Sequence, residues 1–428
     1  MTLIDALSRT LLLMRTDLDA NVSDAELTAA LTSIKVVLHA GWDAVVTHSG
    51  QSALVTAALT LARSGHEVWV DGEEVDAIGP QPPLARGPLL AALRAVGDDL
   101  LPDRPIQLGV PSAPDVSVVF GQAQPAADAL RVISVDASGW EARQGLHSTP
   151  WTGGDWPVGG IGVGVLVASE AFRIAMRRLA ARARDRAYFD AVYAPSSQIL
   201  FLLAPPDTPR QAQLPEFDFV SGGAIANAAL FTLARLPGVS GRARVLDDDV
   251  SALSNLNRNA MLTRSALDWY KVEDLARLTG GLVIDPRPVR YEDGMAIAPT
   301  VLVGVDDIAS RWAVQAAGPL WLGVGATEGF SAMVSSHAEG QACAGCLHPV
   351  AAAPAGPIPT AAFVSLLSGL LLVARWQRAL GADGEALANQ QTFVNALRPE
   401  GWSFGSMPVA PNANCPVGCK ASVRRRAA

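Results

Sequence analysis

The sequence predicts an α/β protein built from two copies of a doubly wound parallel sheet. Three observations carry this. Apolar runs of strand length alternate with helical segments along most of the chain, the pattern of a parallel sheet covered by crossover helices. Half of the 428 residues are hydrophobic and 17% are charged, with 38 Gly and 29 Pro to serve the turns, so the chain is long and apolar enough for two or three domains. One order of strand, small-residue turn and helix also occurs twice, as in an internal duplication of domain size.

In the first copy, "DAVVTHSGQSALVTAALTLARSGHEVWVDG" (Asp43 to Gly72) reads as strand, turn, helix and strand. Its turn offers His48, Ser49 and Gln51, with only Gly50 as a permissive residue. "DVSVVFG" is a further strand, and "PVGGIGVGVLVASEAFRIAMRRLA" is a small-residue-rich helix after a proline. The Pro-rich polar stretch "APPDTPRQAQLPEFD" marks the seam, giving expected domains over 1–210 and 211–428. In the second copy, "FDFVSGGAIANAALFTLARL" is strand, turn and helix; "ARVLDDD" is the next strand; "YKVEDLARL" starts a helix. "APTVLVGVDD" and "PLWLGVGA" are strands, and "IPTAAFVSLLSGLLLVARWQRAL" matches the late helix of the first copy.

A formal net charge of −8 leaves no broad basic surface, which argues against nucleic acid as a principal partner. The basic tail "KASVRRRAA" is short and reads as a frayed end. The start "MTLIDALSRTLLLMRTDLDA" lacks a basic lead and a small-residue cleavage site. The apolar run from Thr360 to Ala374 is shorter than the roughly 20 residues a membrane span needs, and it carries two serines. The expectation is a soluble, cytoplasmic protein with no membrane partner.

The four cysteines pair locally, Cys343 and Cys346 as C-x2-C, Cys415 and Cys419 as C-x3-C. Such a set in a cytosolic chain points to a tetrahedral all-thiolate zinc site rather than disulfides. His348 lies close to Cys346 and can replace a ligand or line the loop; as a structural histidine it would do neither.

"SGGAIAN" (Ser221 to Asn227) stands where a phosphate-binding turn belongs. In the G-x-G-x-x-G register Ser221, Gly223 and Ala226 take the three key positions, and only Gly223 is glycine. Small residues, Gly222 and Gly223 above all, let backbone N–H groups and a helix N-terminus approach a phosphate; close helix–strand packing would need them equally. "LDDD" follows about 20 residues on, where a carboxylate commonly accepts both hydrogen bonds of a ribose diol. Asp247 fits that role, with Asp249 supporting the loop. An NAD(P)-dependent oxidoreductase would use the same carboxylate but has no need of the "SNLNRN" after it.

"LDDDVSALSNLNRN", then Lys271, "VLVGVDDIASR", the C-x2-C and a late cysteine pair resemble the ubiquitin-activating-enzyme-like adenylyltransferases, the ThiF/MoeB superfamily. The resemblance runs from about Phe217 to Lys420, and "GCLHP" resembles the start of the family's crossover loop. The C-x3-C departs from the family's usual C-x2-C. The resemblance implies an active second domain beside an inactive first one, both Rossmann-like, and a bacterial form of the eukaryotic-type fused enzyme. It implies ATP and Mg²⁺ as cofactors with structural Zn²⁺. It also implies adenylation of the C-terminal glycine of a small ubiquitin-like or sulfur-carrier protein.

By resemblance Asn255, Arg258 and Lys271 offset the repulsion between carboxylate and α-phosphate, Asp247 holds the ribose, Asp306 holds Mg²⁺ and Arg311 braces the region. Arg9 or Arg15 of the N-terminal helix would reach the γ-phosphate from the first copy. If zinc takes Cys343, Cys346, Cys415 and Cys419, no thiol remains for a thioester, and a conjugating enzyme or other thiol must collect the acyl group. Such enzymes occur beside ubiquitin-like proteins and peptidases, some in antiphage operons. Homodimers are known in the family, and here the pair is fused within one chain.

Plainer readings stand beside these. Asn255 and Asn257 can cap a helix, Lys271 can be a solvated face residue, Asp306 and Asp307 can open a helix, and Arg15 can be a surface residue. For the whole chain the alternatives are the NAD(P)-dependent oxidoreductase, a scaffold of the same fold without catalysis, or an adenylating enzyme for a short peptide.

Overall fold

The computed structural model describes residues 2–277, 281–351, 356–381, 387, 389–400 and 404–421. Most of the basic tail and residues 352–355 of the crossover segment lie outside them. In the first half, helices α1 (Leu3–Met14) and α2 (Asp24–Thr32) precede strand β1 (Lys35–Ala40). Then come α3 (Trp42–Val45), α4 (His48–Arg63), β2 (Glu67–Gly72), α5 (Leu89–Leu100), β3 (Gln107–Leu108), β4 (Val116–Phe120), β5 (Arg131–Ser138) and β6 (Glu141–Gly145). Helices α6 (Val158–Arg177) and α7 (Arg186–Val192) and strand β7 (Ile199–Leu202) complete it.

The second half runs β8 (Phe217–Val220), α8 (Ala224–Leu233), β9 (Gly241–Leu246), α9 (Lys271–Ala276), β10 (Leu282–Arg287), β11 (Thr300–Val303) and α10 (Ile308–Ala316). It continues with β12 (Trp321–Glu328), β13 (Ser331–Ala338), α11 (Ala344–Leu347), α12 (Ala362–Ala379), β14 (Asn389–Asn395) and β15 (Phe404–Pro408).

The two sheets share one plan. The first has the order β3-β2-β1-β4-β5-β6-β7, the second β10-β9-β8-β11-β12-β13-β14-β15. In each the first five strands are parallel and the remainder form an antiparallel meander. The parallel strands are buried on both faces, as their unbroken apolar runs require: β4 and β8 have every residue buried. Two parallel-dominated sheets flanked by helices make the α/β, Rossmann-like fold that the strand–helix alternation predicts.

The halves join through helices. α4 packs on α6, α8 on α12, and α6 meets α12 across the middle, where Phe172 and Phe363 lie 5.3 Å apart centroid to centroid. Glycine makes the close approaches possible: a Cβ on Gly164 would sit 2.4 Å from Thr56 Cγ2, and one on Gly369 2.4 Å from Ala228 Cβ. One continuous apolar core spans both halves through these helices, and a separate cluster under α10 covers the other face of the second sheet. The run from Thr360 is the buried α12, as expected. Among the described residues α6 is the one helix long and apolar enough to cross a membrane, and 94% of its most apolar window is buried within the protein.

One local expectation fails. Asp43 to Val45 is helical, and the strand lies earlier, at Lys35–Ala40. "KVVLHA" carries the buried apolar residues that pair with β2 and β4 on either side, and Gly41 then opens the short helix α3.

Candidate functional site

The turn after β8 is held from below by Asp247 at the end of β9. Gly222 N donates to Asp247 Oδ2 at 2.7 Å and Asp249 N to Asp247 Oδ1 at 2.9 Å. Ser221 adopts φ +136°, a region that favours glycine; its Oγ accepts from Gly223 N at 2.9 Å, a local bond that helps to hold the strained residue. Lys271, nearly buried, opens α9 against this turn. Its Nζ contacts Asp249 and lies 3.6 Å from Asp247 Oδ1. A Cβ on Gly222 would come within 2.9 Å of Lys271 Cβ and 3.2 Å of Asp247 Cβ, so only glycine lets turn, lysine and aspartate meet.

The segment after β9 brings the second group of charges. Asn255 Oδ1 accepts from Ala252 N at 2.8 Å, closing its own tight turn. Arg258 donates to Ser254 O and, at 3.2 Å, to Asn257 Oδ1. Burial first, then the nearby Arg9 cation, lowers the Arg258 guanidinium to about 10, while Asp306 opposes the shift. Arg9 and Arg311 are lowered by burial and each feels the same Asp306 charge. Arg311 donates to Val305 O at 2.9 Å, and Asp307 caps α10 by accepting from Ser310 N at 2.7 Å. Three guanidinium groups therefore share the field of the exposed Asp306, and Arg9 Nη1 is buried without a hydrogen-bond partner. An anionic ligand suits such an excess of positive charge.

Arg9 arrives on α1. Thr360 N donates to Arg9 O at 3.2 Å, and Asn257 Nδ2 donates to Thr10 Oγ1 at 3.0 Å, docking the N-terminal helix on the second half. Arg15 pairs with Asp24 at 2.6 Å within the first half, so of the two candidate arginines Arg9 is the one that comes near Asp306 and Arg258. Asn227 went unassigned in the sequence reading. Its Nδ2 donates to the carbonyls of Gly222 and Gly223 at 3.0 and 3.2 Å, and its Oδ1 accepts from Met261 N at 3.4 Å, tying the turn to the Asn255–Arg258 segment. A buried amide in the first turn of an otherwise apolar helix was the available signal.

The corresponding crevice of the first half is filled by its own chain. Gln51 Nε2 donates to Asp76 O at 3.0 Å and Gln51 Oε1 accepts from Ile78 N at 2.9 Å, laying the loop after β2 over the start of α4. Ser49 N donates to Gly154 O at 2.9 Å, and Thr47 caps the helix. Asp43 accepts from Trp151 N at 2.8 Å, closing the remaining side. α8, by contrast, has no side-chain cap hydrogen bond, so its N-terminus suits an anion as that of α4 does not.

The four cysteines converge. Cys343 and Cys415 lie 3.4 Å apart at Sγ, Cys346 and Cys419 3.4 Å, and Cys343 and Cys346 3.9 Å. These distances are too long for disulfides and match the edge of roughly 3.8 Å expected for a tetrahedron of thiolates bound at ~2.3 Å. Gly418, at φ +65°, turns the chain back and absorbs the extra residue of the C-x3-C spacing. Burial raises the Cys343 and Cys346 thiols, so holding them as thiolates would call for a cation. His348 stays outside the cluster.

Residues 35–190 match the family model described as the BilD N-terminal domain; this is the half with the filled crevice. A protein of Sinorhizobium fredii (strain NBRC 101917 / NGR234) described as uncharacterized protein y4jF is 33% identical over 153 residues, 34% of this chain. The match spans only 29% of that relative's length. Among solved structures, Escherichia coli MccB with ATP aligns at 14% identity over 60% of this chain and 81% of its own, with a TM-score of 0.40. MccB with MccA-N7isoASN aligns at 15% identity over 59% and 81%, also with a TM-score of 0.40. Likeness of this depth speaks to neither the ligand nor the chemistry of this chain.

Proposed function

We propose that the second half binds ATP·Mg²⁺ and adenylates the C-terminal glycine carboxylate of a small ubiquitin-like or sulfur-carrier protein. The observation that carries the reading is the set of three guanidinium groups around exposed Asp306, one of them with an orphaned nitrogen, near the uncapped α8. In the reaction a carboxylate oxygen attacks the α-phosphorus, the bond to the β-phosphate oxygen breaks, and pyrophosphate leaves. Two anions must meet, so the protein's task is to offset their repulsion and the charge that develops between them.

Gly222, Gly223 and Asp247 would hold the nucleotide, Asp247 at the ribose. Asn255, Arg258, Lys271 and Arg9 would face the phosphates, with Asp249 holding Lys271 until ATP arrives and Arg311 bracing the loop. Asp306 would hold Mg²⁺, which supplies charge neutralisation at the phosphates. Zinc at Cys343, Cys346, Cys415 and Cys419 would be structural. With all four thiols of the chain engaged there, the acyl group would pass to a thiol of another protein, such as a conjugating enzyme. The match to the BilD N-terminal domain supports a bacterial ubiquitin-like pathway.

The test is ATP–pyrophosphate exchange in the presence of glycine-ended carrier proteins, for wild type and Asp306→Ala. Carrier-dependent exchange that disappears in the variant supports the proposal. NADH turnover without exchange would favour an oxidoreductase, and carrier binding without either activity a scaffold.

A further inference from the structure

The core helices α4 and α8, one in each half, run out in the same four-residue sequence: Thr60, Leu61, Ala62 and Arg63 close α4, and Thr232 and Leu233 close α8 with Ala234 as its C-cap and Arg235 just beyond. Both arginines are buried, and each reaches into the other half. Arg63 donates to Leu256 O at 2.7 Å, Ala260 O at 2.9 Å and Leu262 O at 2.8 Å. Arg235 donates to Pro82 O at 2.6 Å and Gln81 Oε1 at 2.9 Å, and to Phe231 O at 2.9 Å in the last turn of the helix it follows. Each arginine thus grips the loop that follows the second parallel strand of the opposite sheet. The loop gripped by Arg235 fills the first crevice; the one gripped by Arg63 carries Asn257 and Arg258 and lies against Asn255.

A guanidinium placed wholly inside a protein is costly unless its donors are met. Burial lowers Arg63 to about 9, with Asp274 opposing, and its Nε has no hydrogen-bond partner. No carboxylate is hydrogen-bonded to it among the described residues; its acceptors are three carbonyls spread over seven residues of one loop. A planar fork that spans such acceptors fixes backbone shape, which a flexible ammonium does less well.

We propose that Arg63 is a positioning residue: the half without an open site holds the Asn255–Arg258 loop of the other half in its ligand-binding shape. This rests on the reading of that loop as phosphate-facing, and its mirror residue Arg235 provides the control. The experiment compares Arg63→Met, Arg63→Lys and Arg235→Met by amide hydrogen exchange and by calorimetric titration with ATP·Mg²⁺. Arg63→Met should accelerate exchange across 256–262 by about tenfold or more and weaken ATP·Mg²⁺ by a similar factor, with Arg63→Lys between it and wild type. Arg235→Met should accelerate exchange near 76–82 and leave ATP·Mg²⁺ affinity within about threefold.

Unchanged exchange across 256–262 in Arg63→Met would overturn the proposal, and so would an equal loss of ATP affinity in both methionine variants. If Arg63→Met does not fold, Arg63→Lys decides on the same two readouts. Wild-type protein that fails to bind ATP·Mg²⁺ would defeat the adenylation reading, while the exchange arm would still decide whether Arg63 shapes the loop.

Discussion

Replacing Arg258 by methionine should disable the site while costing the folded chain little. Burial and then Arg9 lower the guanidinium to about 10. At 1.36 kcal/mol per pH unit, this holds on the order of 3 kcal/mol against folding at neutral pH. The sign follows from linkage. With the folded pKa below the unfolded one, the unfolded chain keeps more protons above about pH 10, so stability rises with pH from there up to the ordinary arginine range. At pH 7.5 both states are protonated and the penalty is fully present.

Methionine keeps the apolar stem and removes the charge. It forfeits the hydrogen bonds to Ser254 O and Asn257 Oδ1, roughly 1.5–3 kcal/mol each for a charged donor. The relieved penalty offsets most of this, leaving a loss of roughly 0–3 kcal/mol. Urea unfolding at pH 7.5 should show a midpoint only slightly lowered at unchanged slope, and titration with ATP·Mg²⁺ should show binding lost. A variant destabilised by more than about 3 kcal/mol, or one that binds ATP·Mg²⁺ as wild type does, would refute the view of Arg258 as a strained cation waiting for an anion.

Acid should unfold the protein early. Burial lowers His66 and His337 to about 4, so each costs about 1.4 kcal/mol per unit as pH falls from 6.5 to 4, because the unfolded chain takes the proton first. Urea titrations at pH 7, 6 and 5 should show this slope, and His337→Gln should flatten it by roughly half over that range. Purified protein should carry one zinc per chain by elemental analysis; Cys415→Ser should lose it and open residues 409–419 to protease while both sheets persist in circular dichroism. Gly369→Ala should cost roughly 1–3 kcal/mol in thermal unfolding, since its Cβ would fall 2.4 Å from Ala228 Cβ and 2.6 Å from Ala229 N.

Much of this architecture could be read before folding. The alternation of β8, α8 and β9 is written in "FDFVSGGAIANAALFTLARL" and "ARVLDDD", because buried parallel strands and packed helices leave plain apolar runs. The strand of the first half was misplaced because Asp43 to Val46 is as apolar as a strand, and only pairing on both edges selects Lys35–Ala40. Arg9 and Arg15 share a helical segment but, six residues apart, face different ways; which one meets the second half depends on the docking of α1, a tertiary fact. Arg63 acts through backbone carbonyls 193 to 199 residues away, and nothing local marks those acceptors; Asn227 binds its own turn, and only its contact with Met261 N lies far along the chain. The filled first crevice is likewise an outcome of loop placement, with Gln51 and Asp43 holding segments 25 or more residues away.

The blocked crevice leaves the proposed nucleotide site without an open counterpart among the described residues. Here saturation should follow a simple hyperbola with one nucleotide per polypeptide and a Hill coefficient of one, and every encounter with a carrier would be an independent event.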